Sequence, residues 1–170
     1  MNTPSGIDFT ASELGLPHHD AISAEVMRQI RSKAQGKTLL FVDRGFGLPQ
    51  QCLHVVRDHL NLTGSNPLMG PNDPCGERFP RVTDVYVTEC GQELPQVVTA
   101  GIKPGVVPNA EDVAAMKAVG ADCWSYNLVP AMIVAAHAGL KVIGILVPEG
   151  MKPEAGQLKP ILQALISENH

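Results

Sequence analysis

Apolar and polar positions follow two rhythms along this chain, one helical and one of short unbroken apolar runs. Between Asp20 and Gln35, Ile22, Val26, Met27 and Ile30 recur on one face of a predicted helix. Asp20 or Ser23 can cap its start and Gly36 ends it. Lys37–Val42, KTLLFV, is a continuous apolar run that suits a buried strand, and Asp43–Gly47 reads as a glycine-bearing turn at its carboxyl end. Cys52–Arg57 and Gln96–Ala100 predict two more strands. Asn109 is a natural N-cap for a helix that runs to Val119 and stops at Gly120, with Glu111 and Asp112 at the positive end of its dipole. Cys123–Tyr126 reads as a short strand, and a helix follows from Val129 or Pro130 to Ala138, stopped by Gly139. Lys141–Val147 is another buried strand, and Leu158–Ser167 a last amphipathic helix in which Pro160 is confined to the first turn. Residues 1–20 read as an irregular arm.

Helices alternate with strands, and most of the strands are apolar throughout. That pattern predicts an α/β fold: a mixed, mostly parallel sheet flanked by helices, in a single domain over residues 1–170. In such folds ligands sit outside the carboxyl ends of strands. The positions concerned are Asp43–Gly47, Gly101–Asn109, Ser125–Asn127 and Pro148–Met151.

Asn61–Tyr86 breaks the rhythm. It holds three Gly and four Pro in 26 residues, so neither a long helix nor a regular strand fits it. It also holds Leu62, Leu68, Met69, Phe79, Val82, Val85 and Tyr86, which favour burial. An ordered loop of this length is usually functional or lies at an interface.

Composition narrows the function classes. The formal net charge is −4, from 13 basic and 17 acidic residues, and no basic cluster is present, which argues against a nucleic-acid partner. The apolar run Leu128–Pro148 carries Lys141 and two glycines at its middle, so a helix, a glycine stop and a strand explain it better than a membrane span. No secretory signal is evident at the N-terminus. The four cysteines show no CxxC spacing, and reduced thiols in a cytoplasmic protein are the simplest expectation. His18-His19-Asp20 reads as a solvated turn and not a metal site, so no metal is expected.

Two blocks carry a resemblance. VRDHLNLTGSNPLMGPNDPCGERFPRVTDVY, Val56 to Tyr86, resembles a signature segment of the trimeric purine nucleoside phosphorylases. In the same order, Val119–Asp122, Leu128–Pro130 and Ile133–Val142 resemble a second family block, and LFVDRGFGL, Leu40 to Leu48, is a weaker third match. The resemblance covers roughly residues 37 to 150 and implies the family's fold, shortened on its N-terminal side. It also implies a reaction in which phosphate attacks ribose C1′ and a purine leaves. Phosphate would be a co-substrate, and no other cofactor is implied. Such chemistry needs an anion cradle, a hydrogen-bonding group for the base and a dry pocket.

The matching positions depart from the family's functional residues. The 36 residues before Lys37 are too few for the family's Gly-Ser-Gly loop and Arg-x-His segment; Ser5-Gly6 is a lone dipeptide. The family's small residues after the central strand become Asp43, Arg44, Gly45 and Phe46; its methionine and serine become Tyr126 and Asn127. Its base-binding glutamate falls on Pro108, with Glu111 and Asp112 about one helical turn on; the simpler reading of that pair is helix electrostatics. Its asparagine falls near Gly150.

The ligand-binding candidates are therefore Asp43, Arg44, Phe46, Tyr126, Asn127 and Glu111. Arg44 could hold an anion that Asp43 opposes, and Phe46 puts a ring where the family keeps a glycine near the base. Tyr126 is either core or pocket lining, whereas Trp124 reads as core. His59 reads as a fixer of loop structure and His137 as a satisfied core histidine. Leu68, Met69, Cys75 and Phe79 are interface candidates in a homo-oligomer, a trimer by the resemblance. The expected function is that of a phosphorylase-like protein that binds a purine nucleoside, nucleobase or related small molecule. Ordinary phosphorolysis by this chain alone is not expected. The alternatives are a non-catalytic homologue that binds a partner, and a nucleoside hydrolase, which needs no phosphate cradle.

Overall fold

A computed structural model describes residues 8–10, 38–72, 74 and 76–168. The expected arm, the helix over 20–35, the His18-His19 turn and Cys75 lie outside the described residues. Six strands form one sheet in the order β1-β2-β6-β3-β4-β5. They are β1 (Asp8–Thr10), β2 (Thr38–Gly45), β3 (His54–Asn61), β4 (Gln96–Gly101), β5 (Cys123–Ser125) and β6 (Lys141–Pro148). Among the described residues three α-helices accompany them: α1 (Ala110–Ala118), α2 (Leu128–His137) and α3 (Ala155–Glu168). The one antiparallel junction, β6 with β3, separates two parallel groups, so the sheet is mixed and mostly parallel, as expected.

The central strands are apolar because both of their faces are covered. Leu39, Phe41, Val142 and Leu146 face the layer that contains α2, while Leu40, Ile143, Ile145 and Val147 face the layer that contains Ile161 and Leu165 of α3. That is the period-two alternation of a strand. Gly144 lies on the α2 face, where a Cβ would come 3.0 Å from Met132 Cε and 3.2 Å from Val56 Cβ, so the glycine lets helix and sheet approach closely. α2 itself is apolar all round and wholly interior apart from half-buried Ala136. It ends as the sequence predicts: Gly139 takes φ 72°, and the N–H of Leu140 reaches back to the Ala135 carbonyl at 3.0 Å.

Three elements differ from the sequence reading by more than a residue. β2 continues through Asp43, Arg44 and Gly45, because β6 offers partners as far as Pro148. β3 starts two residues later than expected and runs four further, through Asn61. Its first residues, His54–Val56, pair with β6, while β4 pairs with it from Val55 to Asn61 across a register shift between Val56 and Asp58. α3 starts three residues earlier, at Ala155, so Pro160 is interior to the helix. The side chain of Gln157 accepts the Glu154 N–H at 2.9 Å, and that reciprocal cap begins the helix ahead of the proline. α1 begins as read: Asn109 accepts from the N–H groups of Glu111 and Asp112, and Asp112 returns a bond to the Asn109 N–H.

His54 is buried and its Nδ1 has no hydrogen-bond partner among the described residues. Burial lowers its pKa, and burial likewise lowers that of His59 against the opposing pull of Asp58. Both rings are neutral in the fold and gain protons more readily in the unfolded chain, near the ordinary histidine value of about 6.5. Their stabilising contribution is thus complete above that value and lost as pH falls below it. Thermal unfolding followed between pH 7.5 and pH 5.5 is expected to show Tm falling, and His54→Gln, which cannot titrate, is expected to flatten that dependence.

Candidate functional site

The carboxyl end of β2 meets the far edge of the sheet. The Phe46 N–H donates to the Trp124 carbonyl at 2.9 Å and the Trp124 N–H returns a bond at 3.2 Å. β5, already paired with β4 on its other side, is thereby tied back to the strand after which the family places its functional turn. The sheet curls, and the turn after β2, the end of β5 and the start of α2 come together.

At this junction Asp43 serves the backbone. Its Oδ2 accepts the N–H groups of Asn127 at 3.0 Å and Leu128 at 2.9 Å, the unpaired donors at the N-terminus of α2. Its Oδ1 accepts its own neighbour's N–H, from Arg44, at 2.8 Å. A carboxylate contributed by another strand therefore caps the helix, since Asn127 supplies no side-chain cap. Burial raises the Asp43 pKa, and the bonds from Asn127, Arg44 and Leu128 offset part of that rise. Ionised Asp43 thus costs the fold something that it regains as pH falls through the raised pKa.

Arg44 is also engaged. Its guanidinium donates to the Met151 carbonyl at 2.6 Å and, more weakly, to the Pro148 carbonyl at 3.4 Å, fastening the turn after β6. Phe46 stacks on Trp124 with centroids 6.0 Å apart and planes 16° off parallel, and meets Tyr126 edge-on at 5.1 Å. The Tyr126 hydroxyl donates to the Val106 carbonyl at 2.9 Å and so draws in the loop after β4. Four of the six candidates, Asp43, Phe46, Tyr126 and Asn127, thus share one junction, with Arg44 one residue away on its far side. Glu111 does not join them: it sits exposed in the first turn of α1, as the electrostatic reading has it.

The residue that sequence reasoning underweighted is Trp124, half-buried and central to the aromatic group. Its available signal was Gly47, which takes φ 78° and whose hypothetical Cβ would lie 2.8 Å from the indole ring. A glycine two residues beyond the strand marks a ring approaching the backbone.

The 61–86 segment is built on asparagine-centred turns. Asn61 donates to the Ser65 carbonyl at 2.8 Å and accepts from the Thr63 hydroxyl at 2.6 Å; Asn66 accepts the Leu68 N–H at 2.9 Å. Asn72 donates to the Gly76 carbonyl at 3.0 Å, and its Oδ1 lies 3.2 Å from Nε2 of buried His137. His59 Nδ1 lies 2.5 Å from the Tyr86 hydroxyl, pinning the end of the segment to β3. Beneath it runs an open groove of about 770 Å³. Leu68 packs on the core, but Met69 is 76% exposed and Phe79 84%. No group of three or more His, Cys, Asp and Glu among the described residues could hold a metal, and no helix among them is long and apolar enough to cross a membrane.

Over 105 residues, 55% of this chain and 39% of the relative, the sequence is 33% identical to purine nucleoside phosphorylase 1 of Bacillus subtilis. Over 113 residues it is 38% identical to the purine nucleoside phosphorylase of Mus musculus, covering 53% of this chain and 37% of the relative. Over about half of its length the chain is similar to purine nucleoside phosphorylases. It spans less than two fifths of the length of these curated relatives. No protein-family profile matches it. Its fold matches the Schistosoma mansoni phosphorylase complexed with a monocyclic inhibitor, with a TM-score of 0.69 at 20% identity, over 95% of this chain and 67% of that one. A Schistosoma phosphorylase in complex with guanosine gives a TM-score of 0.71 at 19% identity, over 91% and 70% of the two chains.

If Asp43 is chiefly a helix cap, Asp43→Ala is expected to lower unfolding stability by about 1–2 kcal/mol. Asp43→Asn, whose amide oxygen can still take the Asn127 and Leu128 N–H groups, is expected to cost clearly less. Urea denaturation of the three proteins at neutral pH measures both.

Proposed function

We propose that this protein binds a purine nucleoside, a free purine base or a related small molecule at the junction of β2, β5 and α2, and that the chain alone does not carry out ordinary phosphorolysis. The reading rests on the family relationship together with one geometric observation: both ionisable side chains of the turn after β2 are committed to backbone groups. Asp43 takes three N–H donors and Arg44 two carbonyls, which leaves neither to gather phosphate. Phe46 and Tyr126 meet edge to face, and their ring surfaces offer stacking to a flat heterocycle. Of the relatives, Schistosoma enzymes are known in complex with hypoxanthine and with guanosine, the ligand class proposed for this chain. Among the described residues Cys52, Cys90 and Cys123 are free thiols, which fits a reducing, cytoplasmic setting.

Losing one preorganised donor typically costs about 10²–10³ in rate, and several of the family's are replaced here. Purified protein incubated with inosine or guanosine and phosphate is therefore expected to release base at less than a hundredth of a family enzyme's rate. Calorimetry with hypoxanthine and guanosine is expected to show binding that Phe46→Gly weakens. Family-like turnover, or binding indifferent to Phe46, would overturn the reading.

A second reading, compatible with the first, follows from the exposure of Met69 and Phe79 on an ordered loop. The protein assembles as a homo-oligomer, a trimer by the family relationship, with this loop at the interface. Light scattering at micromolar concentration is expected to give about three times the 18.1 kDa chain mass. Replacing Leu68 and Met69 together by Ser is expected to reduce that mass.

A further inference from the structure

Among the described residues two buried side-chain polar atoms have no hydrogen-bond partner, Nδ1 of His54 and Nε1 of Trp124. The imidazole can place its proton on Nε2, so its orphan atom need not be a donor. The indole has no such freedom. Its N–H is a donor only, and burying it without an acceptor loses its hydration with nothing regained. A phenylalanine would stack on Phe46 and bury no donor, so the tryptophan here asks for a reason beyond packing.

The surroundings hold this ring in place. The Trp124 backbone exchanges two hydrogen bonds with Phe46, and the Phe46 ring stacks on the indole. The Gly47 backbone closes on the six-membered ring, where a Cβ would come 2.8 Å from Cζ3. Nε1 belongs to the five-membered ring, on the other edge of the indole. The other polar groups of the junction are already engaged. The Tyr126 hydroxyl donates to the Val106 carbonyl, Arg44 donates to the Met151 carbonyl, and the side chain of Asn127 donates to Asp43, which also accepts the Leu128 N–H. The Trp124 N–H is not.

We propose that the Trp124 indole N–H is the hydrogen-bond donor by which the junction selects its ligand, which must therefore carry an acceptor, a carbonyl oxygen or an unprotonated ring nitrogen, on the edge of a flat ring. This rests on the ligand reading above and names the group that does the selecting. As the ligand enters, half-buried Phe46 turns from the indole onto the ligand's ring, and the acceptor at that ring's edge takes the N–H. The donor gave up its hydration when the chain folded, so the bond forms with no further desolvation on the protein's side. A flat ring without an acceptor keeps the stacking and lacks the bond. A site built around a polar group rejects such an analogue more strongly than an apolar pocket rejects a small change of size.

Hypoxanthine and indole provide the test, since both are flat bicycles of similar size and indole carries a donor but no in-plane acceptor. In calorimetry with the full-length chain, wild type is expected to hold hypoxanthine about tenfold or more tighter than indole. Trp124→Phe, which keeps an aromatic ring, is expected to weaken hypoxanthine about tenfold and to change indole by less than about threefold. Trp124 is the one tryptophan of the chain, so the nitrogen–proton correlation spectrum of isotopically labelled protein holds a single indole N–H signal. That signal is expected to move downfield with hypoxanthine and not with indole, the ring-current effect of stacking being common to both. It needs no variant, and it decides the matter if Trp124→Phe fails to fold. A signal that hypoxanthine does not move downfield, or a variant that weakens both ligands alike, overturns the donor role and leaves the ligand reading standing. A wild type that binds neither compound overturns both.

Discussion

The two backbone bonds between Phe46 and Trp124 hold the curl on which the rest of the structure depends. Without them β5 would be a three-residue edge strand at one end of the sheet and the turn after β2 would lie at a different strand's end. With them, three separate stretches of sequence share one junction. Asp43 can reach the N-terminus of α2 only because of this closure, and α2 is the helix that covers the central face of the sheet. An entirely apolar helix has no favourable alternative to burial, and its exposed N–H groups need an acceptor at the point of entry. Asp43 supplies it from a strand that precedes the helix by more than eighty residues. The buried carboxylate is costly to ionise, and its three backbone donors are what keep it in place.

The same junction shows how the fold accommodates different side chains after β2. Arg44 and Asp43 are ionic residues where the resembled family has small ones, yet neither is free to act on a ligand. Each satisfies backbone groups that would otherwise be unpaired. Phe46 fills space against Trp124 and Tyr126, and the tyrosine in turn fixes the loop after β4. The substitutions are thus mutually consistent as a packing solution, and the aromatic group they form is the feature that a flat ligand would meet.

The long 61–86 segment holds its shape without regular secondary structure beyond a short 3-10 turn at Thr83–Val85. Side-chain amides close its turns, prolines limit its unfolded freedom, and Gly76 packs so tightly against His137 that a Cβ there would come 1.9 Å from the histidine carbonyl. These constraints keep Met69 and Phe79 displayed when folding inward would hide them.

Much of this was fixed by local sequence. The apolar runs of β2, β4 and β6, the Asn109 cap of α1, the Gly139 stop of α2 and the mixed α/β class follow from periodicity and end signals, which act over a few residues. The similarity to purine nucleoside phosphorylases was legible in the Val56–Tyr86 block for the same reason: its glycines, prolines and asparagines specify particular turns. What the sequence left undecided depends on partners distant along the chain. The extension of β3 through Asn61 required β4, and the early start of α3 required Gln157 to cap back to Glu154, ahead of Pro160. The backbone bonds of Asp43 and Arg44 were not legible because ionic side chains at a strand's end look available until their acceptors and donors are located. Only the curl of the sheet, a long-range backbone pairing that no local pattern encodes, brings those groups within hydrogen-bonding distance.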